Sequence, residues 1–176
     1  MKIILAVTIP ILALLACSTT GGNPAKAEPS GADPQITARV TQAIWPAINA
    51  YNGAPTQTSA GSTALNAVIE PGLGGDAYGA LRTAAAALGR QGDFDPATRL
   101  SYGNDGMTAA RTDVTAAGPA TATVNVCYTY TQWSYVNFAD RTFTPAAGQV
   151  SLDLVNLNHT WYLHAITGDH VVPGCS

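Results

Sequence analysis

Charge is what this sequence has least of. Of 176 residues, 8 are Lys or Arg and 11 are Asp or Glu, for a formal net charge of −3. Such a balance excludes a basic surface for nucleic acid or for an anionic bilayer. Long apolar runs are also missing. The one candidate, residues 3–16, falls short of the roughly 20 residues that a spanning helix needs. Three histidines at 159, 164 and 170 lack a zinc spacing, so no metal site is assigned. The glycine-rich stretch 72–75 has neither the preceding strand nor the lysine of a phosphate loop. Carboxylates on the expected strands are few, namely Asp113, Asp140 and Asp153. They make no convergent set of acid, base and oxyanion donor, so no catalytic residue and no cofactor is assigned. There is no internal repeat.

What is present begins at the N-terminus. Met1 and Lys2 precede the apolar run, which ends Leu14-Leu15-Ala16-Cys17. A short basic start, an apolar stretch of this length and a small residue before a cut describe a secretory signal. The cysteine after Leu-Leu-Ala resembles the lipobox of bacterial lipoproteins. That resemblance implies removal of residues 1–16, lipidation of Cys17 and attachment to the extracytoplasmic face of the cell membrane. Lipoprotein-type modification supplies at least two acyl chains, enough for a stable anchor. The mature chain would then hold 160 of the 176 residues, a single-domain length. Residues 17–33 are small, polar and rich in Pro and Gly, which makes a tether. With Cys17 assigned to the anchor, Cys127 and Cys175 remain. In an oxidising compartment they are expected to pair, closing a loop of about 49 residues, the alternative being two buried thiols.

The domain proper is expected over residues 34–176. Asp33-Pro34 is a good helix start. Ile36, Val40, Ile44, Ala47, Ile48 and Tyr51 then recur at steps of three and four, which predicts a helix over 35–51, kinked at Trp45-Pro46. A second helix is expected over 62–69, and a third from Asp76 through Leu88. Beyond Pro96 the pattern changes to alternation. Strands are expected over 108–116, over 121–135, around Val150, Leu152 and Leu154, and over 161–166, with Trp161, Leu163 and Ala165 on one face. Turn clusters at 93–96, 103–106, 118–119, 140–141, 145–148 and 156–159 separate them. Such short connections require antiparallel neighbours. Helices followed by an antiparallel meander make an α+β fold of about four strands. Its helices would cover the face holding Tyr128, Tyr130, Leu152 and Leu154. Cys127 would lie on the other face, within reach of a returning tail.

This arrangement resembles the NTF2-like fold, in which N-terminal helices cover a strongly curved antiparallel sheet to form a cone. The likeness rests on residues 124–130 as the long central strand, 149–155 as the next and 159–164 as the last, with the helix over 35–51 in the matching place. Together with the lipobox, the chain is similar to small NTF2-like lipoproteins of actinobacteria, mycobacteria in particular. The resemblance implies a domain of a class that includes isomerases, cyclases, dehydratases and non-catalytic binding modules. Tyr128, Tyr130 and Trp161 are candidate lining residues for an apolar cavity with two hydroxyls. The alternative is that they are core aromatics whose hydroxyls bond to backbone. The expected function is a non-catalytic module binding an apolar small ligand, an envelope protein or a second copy of itself. The runner-up is an isomerase- or cyclase-like enzyme acting on an apolar ring compound.

Overall fold

The computed structural model describes residues 33–52, 59–89, 94–95 and 100–176. Cys17 and the stretches expected to be signal and tether lie outside them. Helix α1 (Asp33–Arg39), a π-helical turn (Val40–Ile44) and helix α2 (Trp45–Asn52) form one continuous arm. Pro46 offers no N–H, and its ring crowds the carbonyl four residues back. The chain answers with a wider turn rather than a break: the Trp45 N–H reaches the Val40 carbonyl, an i to i+5 bond. Ile36, Val40, Ile44 and Ile48 therefore stay on one face and are fully buried.

Helix α3 (Ser59–Asn66) and helix α4 (Gly75–Ala87) follow. The second helix was expected to run to residue 69. It stops earlier because residues 68–70 pair with the sheet instead. The Leu163 N–H donates to the Val68 carbonyl at 2.8 Å, and the Glu70 N–H donates to the Leu163 carbonyl at 3.0 Å. This segment covers a sheet edge that would otherwise stand open.

The sheet comprises β1 (Phe94–Asp95), β2 (Leu100–Ala117), β3 (Thr121–Tyr135), β4 (Thr142–Leu157) and β5 (Thr160–Val172), paired in that order and all antiparallel. β3 has the bounds expected from its alternation. Of the expected turn at 93–96, residues 94–95 form β1 and residues 93 and 96 lie outside the described residues; two further expected turns lie inside strands. Residues 103–106 lie inside β2 as a bulge, where the register steps from Asn104 opposite Gln132 to Met107 opposite Tyr130. Residues 145–148 lie inside β4, paired with residues 128–131 of β3. Pro145 is beyond the last β5 partner at Ala147, where β4 has an open edge that tolerates a missing N–H. The tight connections at 118–119 and 156–159 hold: the Gly118 N–H bonds the Thr121 carbonyl at 2.8 Å, and Asn158 and His159 take φ of 51° and 64°.

Alternation on β5 breaks at a second bulge. Leu163 faces Leu154, Ala165 faces Asp153 and Ile166 faces Leu152. Ile166 thus joins Trp161 and Leu163 in the core in place of Ala165, which periodicity alone assigned there. The inner face carries Val124, Val126, Tyr128, Tyr130, Val150, Leu152 and Leu154 against the helices. The result is an α+β, cone-like fold whose sheet curves without closing, bulges supplying the bends. On the outer face Cys127 and Cys175 stand at disulfide distance, with Sγ atoms 2.11 Å and Cα atoms 5.6 Å apart. Among the described residues no helix is long and apolar enough to cross a membrane.

Candidate binding site

Tyr128 is the most buried polar-tipped side chain on the inner face, at 1% exposure. Its ring packs 5.2 Å from that of Trp45 and 5.7 Å from that of Tyr130. It also lies across the neighbouring strand. A Cβ added at Gly148, its partner on β4, would stand 2.4 Å from the ring carbon bearing the hydroxyl. Glycine there lets the phenol pass over β4 and reach β5. Its hydroxyl donates to Asp169 Oδ1 at 2.5 Å and accepts the Gly89 N–H at 3.1 Å.

Asp169 reaches this position through a bulge. Thr167 pairs with Ser151 and His170 with Gln149, which leaves Gly168 and Asp169 together opposite Val150. Gly168 takes φ of 66°, a conformation glycine adopts without steric cost. The extra residue turns the Asp169 carboxylate inward, while the residue as a whole remains exposed at the rim.

Gly89 is delivered by the end of α4, and two asparagines hold that end. Asn52, 1% exposed, donates through its amide to the carbonyls of Ala85 at 3.0 Å and Leu88 at 2.9 Å. Asn104 donates to the Asn52 Oδ1 at 3.1 Å and accepts the Gly106 N–H at 3.0 Å. The β2 bulge and the helix end are thereby tied to one another, and both to the tyrosine.

Burial pushes the Tyr128 phenol far above its ordinary range, and the Asp169 bond and charge add to the effect against a smaller opposing pull from Gly89. Tyr130 is also raised, first by burial and then by the Asp169 charge. Burial raises Asp169 above the usual carboxylate value, while the Tyr128 and Gly89 bonds and nearby His170 oppose that shift.

A concavity of about 530 Å³ opens across the β2 bulge, with Tyr130 in its lining. Asn49, Asp105, Thr108, Thr129 and Thr131 contribute hydroxyl, amide and carboxylate groups to its lining, together with Met107 and Pro145. A shallower one of about 350 Å³ adjoins it, sharing Thr129, Pro145 and Ala146 and bounded by the tail at Pro173 and Gly174.

The residues singled out from sequence fare differently. Tyr128 and Tyr130 are neighbours on the inner face. Trp161 is not beside them: it pairs with Asn156, whereas Gly148, which lies under Tyr128, pairs with Val171. Ten positions of β5 separate the two places, roughly 30 Å of strand. Trp161 is buried elsewhere, its carbonyl accepting the Arg39 Nε–H of α1 at 3.0 Å. Asp153 takes the Thr123 hydroxyl at 3.0 Å on the outer face, and Asp113 pairs with Arg111 at 2.8 Å on the surface. His164 bonds Glu70 at 2.5 Å, His170 bonds the Gly168 carbonyl at 2.7 Å and His159 occupies the hairpin turn. No group of three or more metal-ligating side chains forms among the described residues. Asp169 lies beyond the alternation that predicts the last strand, which ends at residue 166. Its signal was Gly168, an isolated glycine in a strand pattern, which marks a bulge.

Neither a protein-family model nor a curated protein matches this chain.

Proposed function

We propose that this protein is a lipid-anchored module of the cell envelope that binds a ligand or partner without transforming it. In this reading residues 1–16 are the signal, Cys17 carries the lipid, residues 17–33 are the tether and residues 34–176 form an NTF2-like binding domain. The observation that carries the non-catalytic part is the saturation of Tyr128. Its hydroxyl donates to Asp169 and accepts from Gly89, so the innermost polar group is already engaged on both sides. A general acid or base has to reach the proton it moves in a bound substrate. Tyr128 spends its hydrogen-bonding capacity on holding the helix end to β5.

Anchorage is tested by metabolic labelling with a tagged fatty acid. The wild type is expected to take up label and partition with membranes, and Cys17→Ala to do neither. Equal labelling of both would overturn the lipid assignment. Binding without turnover is tested by native mass spectrometry of the purified full chain. A reproducible extra mass recovered chemically unchanged supports the reading, and recovery of a converted product overturns it.

A second reading draws on Asp169, a carboxyl raised by burial at the rim of the inner face. In that reading the fold is an isomerase- or cyclase-like enzyme acting on an apolar ring compound. It expects a turnover that Asp169→Asn abolishes while the fold survives.

A further inference from the structure

The outer face of the sheet beyond the helices has a composition that neither the core nor the tail explains. Along β3 the outward positions run Thr129, Thr131, Trp133 and Tyr135, with Pro145 and Phe143 opposite Thr131 and Trp133 on β4. Trp133 lies flat against the sheet. A Cβ at Gly103, its β2 partner, would fall 2.0 Å from the indole ring, so glycine clears the space that lets the ring lie down. Tyr135 stacks beside it, with centroids 5.6 Å apart and planes inclined by 23°. Phe143 continues the row and is 53% exposed, with the Arg141 guanidinium carbon 5.7 Å from its ring centroid. The aromatic strip therefore adjoins the polar concavity through the Thr131–Pro145 pair, which lines it.

We propose that this strip and the adjoining concavity bind a neutral oligosaccharide across the outer face of β2, β3 and β4. The inference rests on the reading of the protein as a binding module and names its ligand class. Three features select that class. The concavity offers the hydroxyls of Thr108, Thr129 and Thr131 and the carboxylate of Asp105, while Asn49 of α2, at its inner side, is already engaged, its Oδ1 accepting the Met107 N–H at 2.7 Å. A lipid or apolar ring placed there would strip water from these groups without pairing them, whereas a polyhydroxylated ligand both donates to and accepts from them. Asp105 is the charged side chain lining the concavity, which disfavours an anionic ligand. The rings supply apolar faces, which suit the C–H faces of sugar rings and do little for a strongly hydrated ion. From Thr129 to Tyr135 the strip runs roughly 20 Å, a length that suits several linked sugars better than one.

The test uses the full lipidated chain in a polyoxyethylene detergent, which has no sugar headgroup to compete. Maltohexaose, cellohexaose and mannohexaose are titrated by calorimetry, with a hexauronate as the anionic control. At least one neutral hexasaccharide is expected to bind with Kd of about 1 mM or tighter, and the hexauronate to bind more weakly. Trp133→Ala and Thr131→Val should each weaken binding tenfold or more. Thr131 is exposed, so its variant keeps the test valid if Trp133→Ala fails to fold. Absence of binding by all three sugars overturns the proposal, as does binding unchanged in Thr131→Val. If the sugars fail while native mass spectrometry still finds an unchanged bound ligand, the oligosaccharide assignment falls and the binding-module reading stands. If a converted product is found while the sugars still bind here, the reverse holds.

Discussion

At the scale of single residues, the sheet's inner face depends on a phenol, a carboxylate and a backbone amide that three separate parts of the chain bring together. Tyr128→Phe removes the hydroxyl from between Asp169 and Gly89. It is expected to lower stability by about 1–3 kcal/mol, measured by denaturant unfolding. The same change should raise the Asp169 pKa further, because it removes the Tyr128 hydrogen bond that holds it down. Carboxyl-detected NMR titration reads that shift, and a fall would show that the bond does not favour the ionised form. Gly148→Ala places a methyl 2.4 Å from the Tyr128 ring and should displace the phenol from Asp169. Its expected cost is about 1–3 kcal/mol, that of an overpacked site.

The tyrosines also set the alkaline limit. Tyr128 and Tyr130 are raised in the folded protein, so above pH 10 the unfolded chain loses protons that the native state keeps. With fewer protons bound in the unfolded state, stability falls as pH rises through the unfolded tyrosine value. Ultraviolet titration should show these two phenols ionising together with unfolding rather than before it. Tyr128→Phe should flatten the slope of stability against pH in that range.

At the scale of elements, irregularities do more than regular stretches to place side chains. The π turn before Pro46 keeps the helical arm in phase. The β2 bulge opens the concavity, and the bulge at Gly168 aims Asp169 inward. The β4–β5 hairpin has a two-residue loop in which Asn158 and His159 both take positive φ, the geometry of a type I′ turn. Glycine is the preferred second residue of such a turn, and the left-handed region costs other residues roughly 1–2 kcal/mol. His159→Gly is therefore expected to stabilise the protein by about 1 kcal/mol, seen as a rise in Tm. An unchanged or lower Tm would mean that the imidazole makes compensating contacts.

At the scale of the molecule, the tail closes the outer face. Cys175 meets Cys127, and Arg111 Nη1 donates to the Ser176 carbonyl at 2.5 Å. A cross-link over a loop of this length is worth roughly 4 kcal/mol by chain entropy, less any native strain. Cys175→Ser should destabilise by about 2–4 kcal/mol and release the tail from the shallower concavity at Pro173 and Gly174. A thermal shift with and without reductant measures it, and identical curves would show the link to be energetically idle.

The two ends of β3, the helical arm, the face that Tyr128 and Tyr130 occupy and the pairing of Cys127 with Cys175 were legible in the chain. Each is written in a local period or in simple counting: alternation of two for a strand, steps of three and four for a helix, two cysteines left once the first is assigned. The same local rules misplaced residues 103–106 and 145–148 as turns. Glycine and proline break a pattern equally well as a turn, a bulge or an edge, and only the partner strand distinguishes these. They also put Trp161 near Tyr128, although side chains on one face can stand a strand's length apart. Asp169 illustrates the same limit. Its inward aim comes from one extra residue opposite Val150, a register fact that belongs to two strands and is written in neither. The sequence by itself determined which residues are apolar and at what period, hence the elements and their faces. The tertiary structure decided register, and with it which polar groups meet, because a shift of one residue exchanges the faces of a strand without altering its composition.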